Sequence, residues 1–263
     1  MVGFNRSEFV DLTKPLGERL SLYDPTKLPT DQPKNDAADP ARAVPQGFID
    51  AMLVREEVYV RGQKIPLENE LDQDDARSFH WVAYASIPIK GVVANGNAHD
   101  QQARKSSNST KIPIGTIRLV PPPHPPHPGH EFTKFADGGK ESYIKLGRLA
   151  VIPEFRKAGV SKLLIESALG YAREHPYEVG PQLDPASLEA LKKGTAINWR
   201  GLVIIHAQTG VQKVWKRYGF ETDEGAGHWD EEGIDHVLMW KRLDVSDGRR
   251  RSKIWLTGNP TSP

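Results

Sequence analysis

LGRLAVIPEFRKAGVSKLLI, residues 146–165, decides how the chain folds. Leu149 to Ile152 is an apolar run of strand character, Pro153 marks a turn, Arg156 and Lys157 form a basic pair, and Gly159 opens a helix. The first amides of a helix have no intrahelical acceptor, and the macrodipole adds positive potential at that end. With Arg156, Lys157 and Lys162 beside it, this start forms a local anion site suited to phosphate or pyrophosphate. Gly159 carries no Cβ, so a ligand can approach the backbone closely there.

Around this stretch the pattern is strand over 143–152, helix over 154–174 on Val160, Leu163, Leu164, Ala168 and Tyr171, then a buried strand over 201–207. Strand, helix and strand in that order predict a parallel crossover. A short helix over 211–218 closes at Gly219, and a last strand over 234–242 pairs with one near 220–223. Upstream, Phe48, Met52, Val54, Val58 and Tyr59 predict an amphipathic helix over 47–62, and strands follow at 79–87 and 112–120. The expected fold is a mixed α/β sheet flanked by helices and interrupted by long insertions.

The insertions are expected near 91–111, 121–141 and 175–199, the last with its own helix at 185–193. The second opens with six prolines among residues 121–128, which exclude helix and sheet interiors. His124, His127 and His130 recur there at every third residue, a spacing open to zinc or nickel, but no metal is assigned. A mobile or partner-docking loop, polyproline recognition included, is the plainer reading. Residues 1–46 read as a proline-rich arm, 47–243 as the main domain, and 244–263, with Arg249-Arg250-Arg251, as a peripheral tail.

Composition fits a folded protein of 263 residues: 38% hydrophobic, 26% charged, with 6 Trp, 7 Tyr and 8 Phe for a core. Lys plus Arg number 35 against 34 Asp plus Glu, so the net charge of +1 gives no global field for nucleic acid or an anionic membrane. The absence of Cys excludes disulfides, thiolate metal sites and a cysteine nucleophile. No signal-like apolar segment opens the chain, and the expected location is cytoplasmic, with the nucleus left open.

Neither a Walker loop nor a dinucleotide fingerprint occurs, and His130-Glu131 lacks the second His of a zinc protease. Arg156-x-x-Gly159-x-Ser161, after Arg148-Leu149-Ala150-Val151, instead resembles the [QR]-x-x-G-x-[GA] motif of the GNAT superfamily of acyl-CoA-dependent N-acetyltransferases. Val54 to Val60, with Ile65-Pro66 and Glu70-x-Asp72-x-x-Asp75, resembles that superfamily's first helical region. His206-Ala207-Gln208 and Trp215-Lys-Arg-Tyr-Gly-Phe220 resemble its fifth strand and its closing F-Y-x-x-x-G-F segment.

The resemblance implies a splayed central sheet and acetyl-CoA as cosubstrate. Leu149, Ala150 and Val151 would hold the pantetheine and thioester; Arg156, Lys157, Ala158, Gly159, Val160, Ser161 and Lys162 would hold the pyrophosphate. Ser161 departs from the motif's Gly or Ala, and Trp215 stands where the usual acidic Tyr is expected. Indole has no titratable proton near neutral pH, so Trp215 is placed among coenzyme contacts and Tyr218 becomes the candidate acid. An attacking amine needs a base; Glu70 and His80 are the catalytic candidates, and Asp72, Asp75 and His206 are candidates for the substrate region. The expected reaction acetylates a small amine or amino sugar, with a protein N-terminus or lysine as the enzymatic alternative and a weakly catalytic acyl-CoA-binding scaffold as the non-enzymatic one. The acceptor is the expected partner, nucleic acid and membrane are not, and a homodimer is left open.

Overall fold

Val10-Asp-Leu-Thr13, in which only Asp11 is exposed, forms β1, antiparallel to Phe79–Pro88 (β2), with Val10 opposite Ala83 and Thr13 opposite His80. The computed structural model describes residues 10–32, 43–88, 109–125, 141–181 and 199–245. The further strands are Ser109–Val120 (β3), Ile144–Val151 (β4), Leu202–Gln208 (β5), Glu221–Thr222 (β6), His228–Glu231 (β7) and Ile234–Arg242 (β8). Among the described residues these make one mixed sheet in the order β1-β2-β3-β4-β5-β8-β6, with β7 on β8. The expected mixed α/β class stands. The crossover stands too: β4 and β5 are parallel, and Val160–Glu174 (α2) lies between them in sequence.

The chain divides into two compact units. One comprises the described residues up to Arg118 together with Arg148–Ser167. Its first helix, Gln46–Arg55 (α1), continues as a π-helical stretch over Glu56–Gly62, ending where the sequence expectation put it. Phe48, Ile49 and Met52 pack there with Leu16, Tyr23 and Val44. The proline-rich segment is therefore more than an arm: Leu16 and Tyr23 are core residues, and Gln32 clamps the turn at Asp24 through both faces of its amide.

Helix α2 begins at Val160, six residues later than the sequence pattern suggests, because Pro153–Phe155 forms a 3₁₀ turn and Lys157 (φ 68°) and Gly159 (φ 84°) adopt left-handed conformations. Its start is seated on β3 at Gly115, where any Cβ would lie 2.8 Å from Val160 Cγ1 and 3.1 Å from the Ala150 carbonyl oxygen.

The second unit comprises Leu119–Gly147 and the described residues from Ala168 on. Leu202, Ile204, Ala226 and Leu238 form its apolar centre, with Tyr143, Trp229 and Trp240 packed against them. One-turn helices cover Pro176–Val179 (α3) and Gln212–Lys216 (α4), the latter closed by Gly219 at φ 77°. Strand β7 has no counterpart in the sequence expectation. It is joined to β8 by Glu232 (φ 57°) and Gly233 (φ 77°), a two-residue turn with both residues left-handed that matches the strand twist. The expected helix at 185–193, most of the three insertions and the tail beyond 245 lie outside the described residues. Among the described residues no helix is long and apolar enough to cross a membrane.

Candidate active site

The loop between β4 and α2 combines exposed cationic side chains with the start of a helix. Arg156, Lys157, Ala158 and Gly159 are exposed, and Arg156 folds its Nε back onto the Val151 carbonyl at 3.2 Å. Leu163 N donates to the Gly159 carbonyl at 3.1 Å, which makes Gly159 the N-cap of α2. The amides of Val160, Ser161 and Lys162 are then first-turn donors without an intrahelical acceptor. A Cβ added at Gly159 would meet nothing within 4 Å, so it is the left-handed backbone, rather than crowding by protein atoms, that favours glycine here.

Strand β4 changes character midway. Its ladder with β5 runs through Ile144, Lys145 and Leu146, and two residues later Arg148 has φ 50° inside the strand, the mark of a bulge in a non-glycine residue. Beyond it the Leu149 carbonyl accepts a hydrogen bond of 2.9 Å from Tyr59 Oη. Ala150, fully enclosed, packs with Val54 and Val58 of the first helical region, and Tyr59 and Ile152 close the same cluster. Burial pushes the Tyr59 phenol up from its ordinary value, so it remains a neutral donor.

Beside the bulge lies a closed ring of alternating charge. Arg55 contacts Glu70 and Asp75; Asp75 contacts Arg118; Arg118 forks onto both oxygens of Asp72 at 2.7 and 2.9 Å; and Asp72 and Glu70 both reach Arg148, at 3.2 and 3.3 Å. Arg55 and Asp75 are wholly buried, and Asp72 also caps the 3₁₀ turn Gln73–Arg77 through Asp74 N. Burial alone would raise the Asp75 carboxyl, but Arg55 and Arg118 hold it well below the usual carboxylate range. Asp72 is likewise held down, its burial outweighed by Arg118.

This arrangement bears on the roles expected for the acidic residues. Asp72 and Asp75 do not present bare carboxylates to a cationic substrate, because each lies between two guanidinium groups. Glu70 is 2% exposed and lies between Arg55 and Arg148, so an incoming amine has no open path to its carboxylate. His80 is 1% exposed, packs edge-on to Phe48, and directs Nε2 at the Asp75 carbonyl at 3.4 Å. Burial pushes its imidazole down to about 4, which keeps it neutral inside the protein.

The second unit holds the other candidates. His206 is the first β5 residue beyond the Ile205–Leu146 pair that ends the ladder with β4. Its Nδ1 lies 3.2 Å from Glu231 Oε1, an oxygen that also accepts from Trp229 Nε1 at 2.8 Å, and the Trp229 ring meets the imidazole edge-on. Burial would raise Glu231, yet hydrogen bonds from His206 and Trp229 bring it down to about 2. Trp215 is buried edge-to-face against Phe220, so its evident contribution is packing. Tyr218 is half-buried at the end of α4, its amide on the Trp215 carbonyl. His124 stacks on Tyr143 and hydrogen-bonds its carbonyl; His127 and His130 lie outside the described residues.

Sequence reasoning missed Arg55, Arg118, Arg148 and Glu231. Arg55 on an apolar helix face, and Arg118 between Ile117 and Leu119 in an apolar strand, were the available signals: a cation at a core position demands a buried partner.

A mixed sheet with an exposed strand-to-helix loop is the frame of this chain. The model of the Acetyltransferase (GNAT) family matches residues 57–188, half of this chain, and the chain belongs to that family. It is an acyltransferase that draws on a coenzyme-A-based cosubstrate. It is 24% identical over 192 residues to the "Uncharacterized N-acetyltransferase YjcF" of Bacillus subtilis (strain 168), covering 73% of this chain and 90% of that one. An acyl-CoA N-acyltransferase from Pseudomonas aeruginosa aligns at 18% identity and TM-score 0.44, covering 88% of this chain and 99% of that one. Escherichia coli ElaA aligns at 16% identity and TM-score 0.42, covering 76% and 92%.

Proposed function

We propose that the protein transfers an acetyl group from acetyl-CoA to a primary amine of a small molecule, by direct attack in a ternary complex. The observation that carries this reading is the Arg156–Lys162 loop: two left-handed residues, an open Gly159 and three first-turn amides give a pyrophosphate both charge and room. Leu149 to Val151 would receive the pantetheine arm along the strand. The amine nitrogen attacks the thioester carbonyl carbon, the C–N bond forms as the C–S bond breaks, and coenzyme A leaves as thiolate. The nitrogen surrenders one proton to a base and the thiolate gains one from an acid.

For the base, local geometry favours His206 over Glu70 and His80, because an ionised carboxylate on Nδ1 fixes the tautomer in which Nε2 accepts a proton. Tyr218 remains the candidate acid. Acetyl-CoA should raise the thermal midpoint of the wild-type protein, and Gly159→Glu, which puts bulk and negative charge into the loop, should abolish that rise. An undiminished rise in a folded Gly159→Glu protein would remove the pyrophosphate assignment. Thiol release across a panel of small amines, peptides and lysine-bearing proteins then identifies the acceptor; release with peptides alone would overturn the small-molecule reading.

A further inference from the structure

The charged ring and the β4 bulge meet in one residue. Arg148 owes its left-handed backbone to no glycine-like freedom, so something outside the strand must hold it. Its guanidinium lies between two carboxylates: Nη2 donates to Asp72 at 3.2 Å, Nε sits 3.3 Å from Glu70 Oε1 as an ion pair without a hydrogen bond, and Nη2 also reaches the Asn69 and Glu70 carbonyls at 3.4 and 3.5 Å. Both carboxylates are themselves fixed, Glu70 by Arg55 from α1 and Asp72 by Arg118 from β3. One residue on, Tyr59 of the π-helical stretch grips the Leu149 carbonyl. A π-helical turn is an uncommon element that recurs at functional places, and here it carries the side chain that reaches β4.

Resting on the coenzyme-A reading above, we propose that Arg148, Asp72 and Tyr59 are positioning residues that set the bulge of β4, and so aim the backbone of Leu149 to Val151 at the pantetheine and thioester. The ring supplies rigidity. Three arginines and three carboxylates alternate, so each guanidinium has two anionic neighbours and cannot swing to a new partner without stranding one of them. None of these side chains has to touch the reacting atoms; they act through the strand.

Two ligands separate this role from a general loss of structure. Acetyl-CoA uses both the loop and the strand, whereas 3′-phosphoadenosine 5′-diphosphate, the coenzyme's nucleotide end, uses the loop alone. By calorimetry on folded full-length protein, Tyr59→Phe and Arg148→Gly should each weaken acetyl-CoA by about tenfold and leave the nucleotide within about twofold. Glycine tolerates the backbone conformation at 148, so that variant removes the anchor without adding strain. Arg148→Lys, which keeps the charge and loses the fork, should restore part of the loss. Equal weakening of both ligands, or of neither, overturns the positioning role. A wild-type protein that binds the nucleotide but gains nothing from the pantetheine arm also overturns it, while one that binds neither ligand overturns the coenzyme-A reading itself and this role with it.

Discussion

Arg55→Met tests the charged ring most severely. The substitution preserves much of the side chain's length and apolar stem, and removes a guanidinium that is completely buried and donates four hydrogen bonds to Glu70 and Asp75. The intact ring is neutral, three cations against three anions; the variant leaves two against three, with the loss at the end where Arg55, Glu70 and Asp75 are buried. Removing one partner of a buried pair typically costs about 3–5 kcal/mol, a large share of a domain's stability of about 5–15 kcal/mol. Adding Asp75→Asn returns the ring to two against two, so the double variant should be more stable than the sum of the singles by about 1–3 kcal/mol. Acid should also narrow the gap. In the wild type the depressed Asp72 and Asp75 contribute stability that is present above their unfolded values near 4 and lost as pH falls through the folded ones. In the variant a stranded carboxylate rises instead and takes up a proton, so lowering pH relieves it while it weakens the wild type. Urea denaturation followed by far-UV circular dichroism at pH 7, pH 5 and pH 3 measures each quantity. A single-variant loss under about 1 kcal/mol, or strict additivity of the pair, would mean that the ring is solvated and contributes little.

His80 gives a second pH signature: the unfolded imidazole takes a proton near 6.5 and the folded one only near 4, so stability should fall as pH drops through that window, by about 3 kcal/mol. His80→Gln should flatten the slope between those limits, and an unchanged slope would assign it elsewhere. Tyr218→Phe should lower kcat by about tenfold or more, with acetyl-CoA affinity held, if the thiolate receives its proton from that phenol. Full kcat in the folded variant, measured where chemistry limits turnover, leaves water as the donor.

The legible part of the fold was its local part. Strand β8 was read at its full extent from Ile234 to Arg242 because apolar pattern and pairing agree there, and the β4–α2–β5 crossover followed from order alone. Two short strands escaped for different reasons. Val10–Thr13 precedes six prolines whose density governed the reading of the whole segment, and four residues are too few for alternation to register. His228–Glu231 is polar, and only the two left-handed residues that follow it make it a hairpin. At the site, Glu70, Asp72, Asp75 and His80 stand out in the sequence, while their burial and their partners do not, because charge compensation is a long-range property. Arg118 lies 46 positions from Asp72 and Arg148 lies 76, distances over which a sequence shows the acids and not their neutralisation.

The seam between the proline-rich segment and the first helix bears on where this protein can be cut. Proline density invites a shortened chain that begins at Gly47. Yet β1 is the outermost strand of the sheet, Leu16 and Tyr23 cover Phe48 and Met52, and Gly47 is glycine because Thr13 Oγ1 occupies the space a methyl would need. A chain trimmed there would bare the hydrogen-bonding edge of β2 together with a patch of core, the combination that recruits strands from other molecules. Inclusion bodies from such a fragment would report a missing edge strand, and would say nothing against the enzyme.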